Sequence, residues 1–104
     1  MFRSTKNLIK FITAKFKRAY ILIDDFKVPG FSMFGYEQYR GQICSFEYVK
    51  DVINQKITYK LYYPNYTRRT SEHHPLRGWG LIEYGQHSPL EISRLLEGKV
   101  RPAL

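Results

Sequence analysis

The sequence predicts an α+β fold with much irregular chain. It reads as an N-terminal amphipathic helix, an extended aromatic linker, a small antiparallel β-hairpin and a short C-terminal helix. Three observations carry this. Leu8, Ile9, Ile12, Phe16, Ala19, Tyr20 and Ile23 recur at three- and four-residue spacing, the period of a helix with one apolar stripe. Ile57, Tyr59, Leu61 and Tyr63 alternate with Thr58, Lys60 and Tyr62, the period of a strand. Ser88, Pro89 and Glu91 then form a helix start signal, with a capping hydroxyl, a proline at the first helical position and a carboxylate three residues after the cap.

Taken in order, the first helix runs from Ser4 to about Ile23, and residues 1–23 are read as a basic amphipathic segment. Asp24 and Asp25 end the basic run, and Val28-Pro29-Gly30 breaks the chain, because a residue before proline avoids the α region. Residues 24–41 read as a linker whose rings pack on the domain or a neighbour. Residues 42–104 form the body. Gln42–Val49 alternates weakly, with Cys44, Phe46 and Tyr48 on one face; Lys50–Asn54 turns; and the 57–63 strand completes the hairpin before Pro64 stops it. The only tryptophan, Trp79, stands between Gly78 and Gly80 and is read as an anchor in a loop or extended segment. Leu90, Leu95 and Leu96 give the last helix its apolar face, and Gly98 and Pro102 end it.

At 104 residues the chain is one small domain with a thin core, and 16% aromatics make it too apolar for a wholly disordered chain. A single cysteine, Cys44, excludes an internal disulfide framework and suits a reducing compartment. The apolar runs are too short for a transmembrane helix, and lysines interrupt the N-terminal segment too often for a secretory signal. The net charge of +8 is uneven. Residues 1–23 carry Arg3, Lys6, Lys10, Lys15, Lys17 and Arg18 without an acid, whereas the remainder holds eleven basic and nine acidic residues. That head suits an uncleaved mitochondrial import helix, a helix packed on its own domain, or one lying on lipid headgroups or phosphates.

No enzyme chemistry assembles along the chain. His73, His74, His87 and Cys44 lack the close pairing that a zinc site uses, no glycine-rich phosphate loop occurs, and a cysteine on a strand's apolar face behaves as a small hydrophobe. No cofactor or metal is expected. The main rival to a docking role is RNA binding, with Phe46, Tyr48, Tyr59 and Tyr62 stacking bases beside Lys50, Lys56, Lys60, Arg68 and Arg69. The competing assignment of those rings is the core face of a sheet.

The order of features resembles a small (seventeen-kilodalton type) accessory subunit of mitochondrial respiratory complex I and its assembly-factor paralogue. The residues that carry this are the Ser4–Ile23 helix; Asp51, Asn54, Lys56 and Tyr59; the pair Arg68 and Arg69; Pro75, Trp79 and Ile82; and Ser88, Pro89 and Leu90. The resemblance implies a non-catalytic subunit on the matrix side of the inner membrane, clamping core and accessory subunits; lipid headgroup contact through the first helix is the expectation from its own charge and apolar stripe. The expected partner-binding residues are Trp79, Arg68, Arg69, Tyr63, Tyr59, Phe16 and Ile12, since Arg, Tyr and Trp are enriched at interface hot spots. Lys6, Lys10, Lys17 and Arg18 form the expected basic surface. The alternative is an RNA-binding mitochondrial ribosomal protein.

Overall fold

The computed structural model describes residues 3–64, 77–85 and 100–102. The expected 89–96 helix, Arg68, Arg69 and the three histidines lie outside them. The fold is α+β. Helix α1 (Arg3–Lys15) is followed by strand β1 (Ala19–Asp24), a two-strand hairpin of β2 (Gln38–Tyr39) and β3 (Gln42–Ile43), and a short helix α2 (Phe46–Val49) that runs into a 3₁₀ turn, Lys50–Val52. Strands β4 (Tyr59–Pro64), β5 (Trp79–Tyr84) and β6 (Val100–Pro102) complete it. The main sheet is antiparallel, in the order β1-β5-β4-β6.

The helix expected over 4–23 stops at Lys15, and its former last turn is a strand. The residues of β1 satisfy both periods, but the sheet takes the alternation: Ile21 and Ile23 are buried, while Tyr20, Leu22 and Asp24 face out. Register places Ile21 opposite Ile82, and Ile82 opposite Leu61, so one sheet face is a continuous apolar layer. Ile9 of α1 is buried in the same core.

A buried polar network holds the helix end. The last carbonyls of a helix lack intrahelical donors. That of Thr13 accepts the Tyr84 hydroxyl at 2.9 Å and the Asn54 side-chain amide at 3.3 Å. The Thr13 hydroxyl donates to the Ile9 carbonyl at 3.0 Å and accepts the Asn54 backbone N–H at 3.2 Å. Gly85, at φ +84°, lets the end of β5 lie close against the α1–β1 connection; a Cβ there would lie 2.2 Å from the Lys17 carbonyl. Residues 3–23 are therefore part of the body and not a separate head.

Two further expectations change. Residues 24–41 are folded back and not extended: Phe26, Val28 and Phe34 are buried, and backbone bonds join Phe26 to Gly78, Gly78 to Gly35, and Glu37 to Asp25. The β2–β3 turn puts both Arg40 (φ 49°) and Gly41 (φ 82°) in the left-handed region, as a tight two-residue hairpin requires. The Gln42–Val49 strand survives only as Gln42–Ile43, since Phe46–Val49 is helical, and β4 pairs with β5 and β6 and not with that segment. Four residues are too few to distinguish alternation from helical spacing, and burial of Val49 decides for the helix. Trp79 stands in an extended segment, one of its two expected settings: it opens β5, which lies between β1 and β4. Its flanking glycines supply space: a Cβ on Gly80 would meet the Phe26 ring at 2.5 Å, and one on Gly78 the Phe26 carbonyl at 2.1 Å.

Candidate docking surface

The structure divides the expected partner-binding residues between the core and the surface. Tyr63 is buried and stacks on Phe26, ring centroids 6.3 Å apart. Tyr59 is half-buried against Phe46 at 6.2 Å. Ile12 packs against the core, and Trp79 is half-buried opposite Asp24 of β1. Register explains the aromatic positions: Tyr59, Leu61 and Tyr63 share the helix-facing side of β4, which the strand alternation already indicated. Of the named residues within the described chain, only Phe16 is exposed, at 49%.

The basic residues divide as well. Lys6 is committed inside the molecule, 3.3 Å from the Asp51 carboxylate and 4.6 Å above the Tyr48 ring. Lys10, Lys17 and Arg18 are exposed. Sequence reasoning missed three exposed apolar side chains, Leu8 (56%), Phe11 (56%) and Leu22 (67%). Leu8 stands in the predicted apolar stripe, and Leu22 lies within the segment that the spacing predicts as helix. Reading Ala19–Asp24 by alternation would have placed Leu22 opposite Ile21 and Ile23 in facing.

The base-stacking platform does not assemble. Tyr59 and Tyr62 point to opposite faces of β4, and Tyr62 is buried with its hydroxyl donating to Glu83 at 3.2 Å. Burial and the neighbouring Glu83 carboxylate raise the Tyr62 pKa. Tyr48 lies under Lys6.

Nor is Cys44 arranged as a nucleophile. It is buried just after β3, its N–H donating to the Glu37 carbonyl and its own carbonyl accepting from Lys27. Burial, then Glu37 and Asp25, push its thiol up to about 11, so it stays protonated at neutral pH. Among the described residues no group of three His, Cys, Asp or Glu side chains could hold a metal ion, and no helix is long and apolar enough to cross a membrane. A groove between β4 and the β2–β3 hairpin is lined by Lys27, Ile43, Phe46, Glu47, Tyr59 and Lys60, and its carboxylate, Glu47, is paired with Lys50 at 2.7 Å.

What remains is an outward surface of apolar side chains and cations on α1 and β1. No match to the chain was found among protein-family models, curated proteins or solved structures. The likeness to the complex I subunit rests on the residues quoted for it above.

Proposed function

We propose that this protein is a non-catalytic accessory subunit that docks on a large mitochondrial membrane complex, and that the complex is the respiratory NADH:ubiquinone oxidoreductase, as the sequence resemblance implies. The observation that carries the docking reading is the edge of the main sheet. Strand β1 is terminal in the order β1-β5-β4-β6, and no further strand lies beside it among the described residues. Its outward face carries Leu22, 67% exposed, and charges stand only at its ends, Lys17 and Arg18 before it and Asp24 at its last position. An apolar edge of this kind invites pairing with another chain, and natural proteins cover or charge such edges. A neighbouring subunit on the matrix side of the inner membrane would cover this one.

The test is a native-gel separation of solubilised mitochondria from the source cells with mass spectrometry for this chain. Co-migration with NADH-oxidising activity is the expected result. Migration with ribosomal particles would overturn it in favour of RNA binding, and migration with neither would overturn it outright. Leu22→Lys should then lower incorporation several-fold while changing the stability of the free chain by no more than about 0.5 kcal/mol, the range for exposed positions.

A further inference from the structure

Helix α1 has two apolar faces, and only one is used by the fold. Ile9 and Thr13 are buried in the body and Ile12 packs against it. Leu8, Phe11 and Lys15 follow one another at helical spacing on a different, outward stripe, where Leu8 and Phe11 are each 56% exposed. Phe16, just past the helix, is 49% exposed beside it. The Lys15 ammonium lies 5.4 Å from the centre of the Phe11 ring and 5.9 Å from that of Phe16, so the two rings and the cation form one contiguous patch. Lys10, Lys17 and Arg18 are exposed on the same segment, and among the described residues no carboxylate pairs with these three or with Lys15. No acid occurs before Asp24.

We infer that this face of α1 lies on the surface of a bilayer rich in anionic phospholipid. The charge selects a negative partner, and the exposed rings and leucine select one with an apolar phase just beneath the charge. A phosphate backbone would satisfy the lysines and leave Leu8, Phe11 and Phe16 in water. A bilayer interface takes both, because the apolar side chains enter the headgroup and acyl boundary while the ammonium groups remain at the phosphates. The helix lies in the plane of the membrane: its 13 residues are too few to span it, and its other face is held by the body. This goes beyond the docking reading and is tested separately, since β1 and not α1 carries that reading.

The experiment is co-sedimentation of the full chain with vesicles of phosphatidylcholine, with and without phosphatidylglycerol. The chain should pellet with the anionic vesicles far more than with the neutral ones, and added salt should weaken the binding. The triple variant Leu8→Ser, Phe11→Ser, Phe16→Ser should bind at least about tenfold more weakly, since the apolar insertion is lost. Its far-ultraviolet circular dichroism and melting should match the parent, because none of the three side chains is buried. Replacing Lys10, Lys15 and Lys17 together by Gln should remove most of the preference for anionic vesicles. Failure to pellet with the anionic vesicles would overturn the assignment, and so would undiminished binding of the serine variant. Neither result would bear on the Leu22 edge, whose variant is read out by incorporation into the complex.

Discussion

Two sets of aromatic and aliphatic side chains in this small molecule have the same chemistry and opposite positions. Phe26, Tyr63, Tyr84 and Ile82 are buried around the helix-facing side of the sheet. Phe11, Phe16, Leu8 and Leu22 face outward on α1 and β1. The buried set is enforced from several directions: Phe26 lies on Gly80 and stacks on Tyr63, and Tyr84 donates into the end of α1. The outward set is enforced by nothing in the fold except the direction its backbone happens to present. The difference separates side chains that hold the domain together from side chains available to something outside it.

That contrast can be broken from the buried side first. Phe26→Ala should lower stability by about 3–5 kcal/mol, because a fully buried ring packed against Gly80 and Tyr63 leaves a cavity that the sheet cannot close; urea unfolding would measure it, and a loss below about 1 kcal/mol would mean that the ring is not central to the core.

The next effect is electrostatic. The Cys44 thiol is raised from its ordinary 9.0 to about 11 by burial and two acidic neighbours. The folded state therefore holds this proton more tightly than the unfolded chain. Its contribution is complete below pH 9 and is lost as pH rises through about 11. The wild type should lose roughly 2–3 kcal/mol more than Cys44→Ala over that window, and equal alkaline loss in both would show that the thiol is not so buried.

A smaller effect is expected at Thr13. Thr13→Val removes the acceptor for the Asn54 N–H in a buried setting and should cost about 1–3 kcal/mol, read as a lower urea midpoint. Last, Phe11→Ser or Phe16→Ser should change stability by no more than about 0.5 kcal/mol; a core-sized loss would move these rings into the buried set and remove the comparison. Deleting residues 1–23 is a poor probe of either set, because it takes away β1, Ile9 and the Thr13 network at once.

Much of the buried set could be read from the residues alone. The alternation from Ile57 to Tyr63 places Tyr59, Leu61 and Tyr63 on one face, and it is that face which is covered. The start of α1 was legible for the same reason, since helical spacing over a dozen residues is hard to mimic by chance. Its end was not. From Ala19 onward the same side chains satisfy both periods, and the choice fell to β5, whose backbone groups pair with this segment and leave Ile21 and Ile23 inward. The Phe46–Val49 helix was likewise undecidable over four residues. For the outward set, spacing showed that α1 is amphipathic, but it could not show that the body covers Ile9 and Thr13 and leaves Leu8 and Phe11 bare.

By itself, the sequence determined the α+β class, the basic N-terminal charge, the β4 strand and the absence of an internal disulfide, because these depend on composition or on a period that one segment contains in full. The strand order, the conversion of Ala19–Asp24 from helix to strand, and the face of α1 that meets solvent follow from the folded arrangement alone. Each of those turns on a partner distant in the chain: Tyr84 to Thr13 and Phe26 to Gly80 are contacts whose value appears only when the two segments are brought together.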